Sequence, residues 1–141
     1  MFDIVLVGAD DSATARRAVE AAVDLAEMSG GALHIVTAKD TKAFDTSSLP
    51  SEFKTISDDQ GSGALLQTLS FIAKKKGIEP IVHSSTDDPA NALIKIAEEI
   101  DADLIVVGNR GMKGMRRALG SVPNSVAHGA PCSVLIVDTT E

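Results

Sequence analysis

The chain has 141 residues, of which 44% are hydrophobic and only 3% aromatic, with neither Trp nor Tyr. That length suits a single domain over 1–141, with an aliphatic core of Val, Ile, Leu and Ala. The net charge of -7 opposes general binding to nucleic acid or anionic membranes, and the shortage of rings opposes base-stacking recognition of single strands.

The first apolar run, Ile4-Val5-Leu6-Val7-Gly8, is short, β-branched and continuous, which predicts a strand covered on both faces. Met1-Phe2-Asp3 places no basic region before it, so a signal peptide is not expected. No apolar run approaches the roughly 20 residues of a membrane span. Cys132 is alone, which excludes an internal disulfide and fits a reducing, cytoplasmic location. Its plain reading is a small buried hydrophobe.

Asp10, Asp11 or Ser12 supplies a helix cap, and Ala15, Ala18, Val19, Ala22, Val23 and Ala26 then recur at helical spacing up to Gly30-Gly31. Ala32 to Ala38 reads as a second strand. From Lys39 to about Gly63 polar and turn residues dominate, predicting a surface excursion. Leu65, Leu66, Leu69, Ile72 and Ala73 restore a helical stripe that closes on Lys74-Lys75-Lys76-Gly77. Ile78 to Ser84 is a weaker strand, and Pro80 assigns it to a sheet edge. Asp88 caps and Pro89 starts a third helix, with a buried stripe of Ala90, Leu93, Ala97 and Ile100. Leu104 to Gly108 is the most apolar strand and is expected to be central. A short helix over about Ser121 to His128 and a last strand over Ser133 to Val137 complete the chain. Alternating strands and helices predict an α/β fold, a parallel sheet with helices on both faces.

Ligands of such sheets bind beyond the carboxyl ends of the strands, where strand order reverses. Four segments qualify: Gly8 to Ser12, Thr37 to Asp40, Ser84 to Pro89, and Gly108 to Ser121. The last carries four glycines, Gly108, Gly111, Gly114 and Gly120, directly after a buried strand. Glycines let successive N–H groups converge on an anion, and Gly120-Ser121 opens a helix whose first N–H groups favour phosphate. Arg110, Lys113, Arg116 and Arg117 concentrate positive charge there in an otherwise acidic chain. The competing reading is a turn with solvated basic residues.

Asp10 reads either as a ribose or metal contact or as a helix cap. A phosphoacceptor receiver domain also carries an acidic pair after its first strand. It further requires an Asp ending the third strand and a Lys ending the fifth, both absent here. There is no G-x-x-x-x-G-K-[ST] motif, and Gly61-Ser62-Gly63 follows no strand. His34, His83 and His128 lack metal-ligand spacing and read as structural or surface residues. No Ser or Cys has a motif that marks it as a nucleophile, so no catalytic residue is assigned.

Gly108-Asn109-Arg110-Gly111, the basic stretch, Gly120-Ser121-Val122 and Ala130-Pro131-Cys132-Ser133-Val134-Leu135-Ile136-Val137 resemble the C-terminal half of universal stress proteins. Ile4 to Ser12 resembles the first strand and acidic turn of that family, and Asp88-Pro89-Ala90 with Ile94 to Asp103 its third helix. The resemblance implies a three-layer, adenine nucleotide alpha hydrolase-like fold with a five-stranded sheet in order 3-2-1-4-5. It also implies a homodimer through the last strand, Ser133 to Val137, and a role in the stress response. It is similar to the ATP-binding branch, whose signature is Gly-x2-Gly-x9-Gly-[Ser/Thr]. Carried over, Gly108, Gly111, Gly120 and Ser121 would hold phosphates of ATP, AMP or cyclic AMP, with Asn109, Arg110 and Val122 nearby. Ala9 and Asp10 would lie near the ribose or phosphates, with Mg2+ a possible companion of ATP, and Ala38 would approach adenine through its backbone. The alternative is a dimeric interaction protein of the same family that binds no nucleotide. Three features depart from the signature. Eight residues separate Gly111 from Gly120, and Asp11 and Asp87 stand where the family often has Gly.

Overall fold

The computed structural model describes residues 2–9, 13–38, 67–109 and 121–139, with only the backbone of Ala13 and Thr14. The elements are β1 (Ile4–Ala9), α1 (Ala13–Ser29), β2 (Ala32–Ala38), α2 (helical over residues 67–74), β3 (Ile81–Ser85), α3 (Pro89–Ile100), β4 (Leu104–Gly108), α4 (Ser121–Gly129) and β5 (Ser133–Val137). All neighbouring strands are parallel, in the order β3-β2-β1-β4-β5.

Alternation along the strands sorts the core into two layers. Val5, Val7, Ile35 and Val106 face α1 and α2, where Val19, Val23, Leu69 and Ala73 cover them. Leu6, Val36, Ile105 and Val107 face the opposite side, under Leu93 and Ala97 of α3 and Val126 of α4. The expected three layers are therefore present. The aliphatic packing also explains how the chain does without large rings, since each buried Leu, Ile or Val contributes roughly 1.5–3 kcal/mol.

Several boundaries differ from those read in the sequence. The third strand begins at Ile81 rather than Ile78. The N–H of Ile78 instead donates to the carbonyl of Ala73 at 3.0 Å, closing α2, and Pro80 has no N–H for a ladder. β3 does lie at a sheet edge. The middle strand is β1, with the more apolar β4 beside it, because the crossovers run outward from β1 in both directions. In α3 the buried set is Ala90, Ala92, Leu93 and Ala97, while Ile100 is half-buried where Asp101 leaves the helix at φ 55°. Cys132 is half-buried against the α3–α4 layer, not fully enclosed. The region from Lys39 to Gly63 and the cap residues Asp10 to Ser12 lie outside the described residues.

The amino end of the sheet is held by a side chain. Oδ2 of Asp103 accepts from the N–H groups of Asp3 and Ile4, each at 2.9 Å. The N–H of Asp103 donates to the carbonyl of Ile4 at 2.9 Å. This latch sets the start of β1 beside the start of β4.

Candidate functional site

Strand order reverses between β1 and β4, and the ladder there is short. It pairs Val5 with Leu104, Leu6 with Ile105 and Val7 with Val106. On either side the ladders run on, to Ala9 with Thr37 and to Gly108 with Val137. The β1–β4 pairing therefore stops two residues short of the ends of both strands, at Gly8-Ala9 and Val107-Gly108, and the crevice expected at a switch point lies beyond it.

Around this crevice the structure gathers Ala9, Ala38, Gly108 and Asn109 at the ends of β1, β2 and β4. Ala9 packs toward the α1 layer and Ala38 toward the α3–α4 layer. Gly8 has no room for a side chain, since a Cβ would meet Cδ1 of Leu93 at 2.8 Å. Its absence lets α3 approach the sheet. Ser121 is exposed at the first position of α4, and Val122 packs against the α3–α4 layer. Val122 is thus a packing residue that seats the helix whose first turn carries Ser121. Asp10, Arg110, Gly111 and Gly120 lie outside the described residues.

Asn109 has a more specific setting than its place in the signature implies. It is 4% exposed, and its Oδ1 accepts from both the N–H and the hydroxyl of Thr139, each at 2.9 Å. Its Nδ2 donates to Oδ1 of Asp138 at 3.1 Å, and its backbone N–H donates to the carbonyl of Val137 at 3.0 Å. Gly108 completes the arrangement, because a Cβ there would come within 3.0 Å of the Thr139 methyl.

The segment before α3 is organised locally. Oδ2 of Asp88 caps the helix by accepting from the N–H of Asn91 at 3.2 Å, with Pro89 in the first turn. Oδ1 of Asp87 accepts from the N–H of Asp88 at 2.8 Å, and the hydroxyl of Ser85 accepts from the N–H of Asp87 at 3.0 Å. The unusual Asp87 is therefore a turn residue whose carboxylate has a backbone donor.

Two titratable features lie off the crevice. Nδ1 of His34, on β2, is 2.8 Å from Nε2 of His83, on β3, and the rings stack with centroids 5.1 Å apart. The 49-residue separation hid this pair from any reading by spacing. Parallel β2–β3 pairing was its only available signal, since it puts the two residues on one face. Burial, and then the charge of His83, lower the pKa of His34. Burial and the nearby Asp103 carboxylate raise the Cys132 thiol, against a smaller opposing hydrogen bond to the Ile105 backbone. Among the described residues, no three His, Cys, Asp or Glu side chains converge on a metal position. Nor is any described helix long and apolar enough to cross a membrane.

Comparison with known proteins extends over nearly the whole chain. Residues 1–138 match the model of the universal stress protein family. The universal stress protein YxiE of Bacillus subtilis is 32% identical over 97% of this chain and 99% of its own length. A universal stress protein solved in complex with cAMP is 33% identical, with a TM-score of 0.78 over 99% of this chain and 98% of that one. A family member from Burkholderia pseudomallei superposes with a TM-score of 0.72, at 28% identity and 96% of each chain.

Proposed function

The chain belongs to the universal stress protein family, and from that premise we propose that it is an adenine-nucleotide-binding regulator of the stress response. The observation that carries this reading is the early end of the β1–β4 ladder at Val7 and Val106. It lies at the switch point, where ligands of such sheets bind, and the glycine-rich, basic segment 108–121 continues from β4 in the sequence. Likeness to a relative crystallised with cAMP supports an adenine nucleotide as the ligand. The assignment of phosphates to Gly108, Gly111, Gly120 and Ser121, and of adenine to the backbone of Ala38, belongs to this proposal.

The protein acts in it by binding rather than turnover, in the cytoplasm. Candidate ligands are ATP, AMP and cyclic AMP. Mg2+ binds nucleotides chiefly through phosphate oxygens and keeps several of its waters, so in this proposal it arrives with the triphosphate. Calorimetric titration of the purified protein with each nucleotide, with and without Mg2+, tests the reading. Saturable binding of at least one is expected. No heat and no thermal shift at millimolar concentrations would reject it.

A second reading, a dimeric interaction protein without nucleotide, draws on the other edge of the sheet. β5 forms that edge, and Leu135 on it is 38% exposed. An apolar edge strand is a template for pairing with a second copy. A homodimer through Ser133–Val137 is part of both readings, and only the titration separates them.

A further inference from the structure

The first two residues of the glycine signature are both engaged with the end of the chain. Oδ1 of Asn109 has two lone pairs, and Thr139 uses both. This also orients the carboxamide, since the reversed amide would set Nδ2 against the N–H of Thr139. Nδ2 is directed to Asp138, and the backbone N–H to Val137. Thr139 is 2% exposed and its methyl occupies the space that a side chain on Gly108 would need. A side chain so committed has little capacity left for a ligand. It does hold one end of the glycine-rich segment in place.

We propose that Asn109 is a positioning residue: its carboxamide clamps Asp138 and Thr139 across the end of β4, and this clamp sets the backbone from which the phosphate-binding segment departs. The proposal rests on the nucleotide-binding reading above. It makes the residues after β5 part of the site without any contact to the nucleotide. Anion binding by main-chain amides demands a backbone held in one conformation, because the donors cannot adjust independently. Phosphate recognition is thus coupled to β5, the strand that carries the open edge.

The test compares ATP with adenosine, which lacks phosphates, by calorimetry. The wild type is set against Asn109→Ala, Thr139→Val and a chain ending at Val137. Loss of the clamp should weaken ATP by roughly threefold to thirtyfold, the range of indirect couplings, and leave adenosine within about twofold. The Asn109→Ala and Thr139→Val effects should not add, since the one bond that Thr139→Val removes, from its hydroxyl to Oδ1, is among those that Asn109→Ala removes. Combining Asn109→Asp with Asp138→Asn, which restores an amide facing a carboxylate, should recover part of the affinity lost in Asn109→Asp. Folding is checked by circular dichroism. Should Asn109→Ala fail to fold, Thr139→Val, which keeps its shape, decides. Unchanged ATP affinity in folded variants, or equal losses for ATP and adenosine, overturns the positioning role alone. A wild type that binds no ATP rejects the nucleotide reading and the clamp's role with it.

Discussion

His34 and His83 are diagonal neighbours on one face of the β2–β3 ladder, with Nδ1 of the first 2.8 Å from Nε2 of the second. Only one proton can lie between these nitrogens, so the contact requires at least one neutral ring. The folded pKa of His34 is lowered, first by burial and then by His83. The unfolded chain therefore binds more protons than the folded one as pH falls through the ordinary His range. Stability should be full above about pH 6.5 and decline as pH falls below it. Urea melts at pH 8 and pH 5.5 measure the decline, and His34→Gln should flatten it. An equal slope in the variant would remove His34 as the cause.

The exposed edge strand β5 offers a second expectation. Leu135 is exposed on β5, so Leu135→Asp should leave the fold intact and convert a dimer to a monomer. Leu135→Pro should also break the dimer, and it removes an N–H from the strand. Sedimentation at several concentrations reads the result. A dimer that survives Leu135→Asp would direct attention away from β5.

Gly120→Val should abolish nucleotide binding and preserve the dimer, because it fills space that the reading gives to phosphate. Calorimetry with ATP checks the first outcome and light scattering the second. Unchanged affinity would remove Gly120 from the site.

The latch at the amino end should be visible in stability alone. Asp103→Ala strips two N–H groups of their acceptor, a loss of about 1–3 kcal/mol. Ile105→Ala, at a position fully enclosed in the α3–α4 layer, should cost about 2–5 kcal/mol. Both are measured by urea unfolding, and ATP affinity in the folded fraction should not change for Asp103→Ala.

The layers of the fold were legible because each buried strand is a short continuous apolar run and each helix keeps its small residues on one face. Asp88 and Pro89 could be recognised as a helix start from two adjacent residues, since capping is local chemistry. What escaped the sequence was long-range. The His34–His83 pair depends on the β2–β3 register. The Asn109 clamp depends on residues 29 and 30 positions away. Ile78 looked like strand because it is apolar, but the backbone bond it makes belongs to the end of α2. The place of Asn109 in the glycine signature gives no sign that its side-chain bonds run to Asp138 and Thr139.

The two ends of β4 are stapled to different neighbours. Asp103 grips Asp3 and Ile4 at the start of β1. Asn109 holds Asp138 and Thr139, just beyond β5. Loosening of the β5 edge of the sheet would therefore reach one end of β4 while its opposite end stayed fastened.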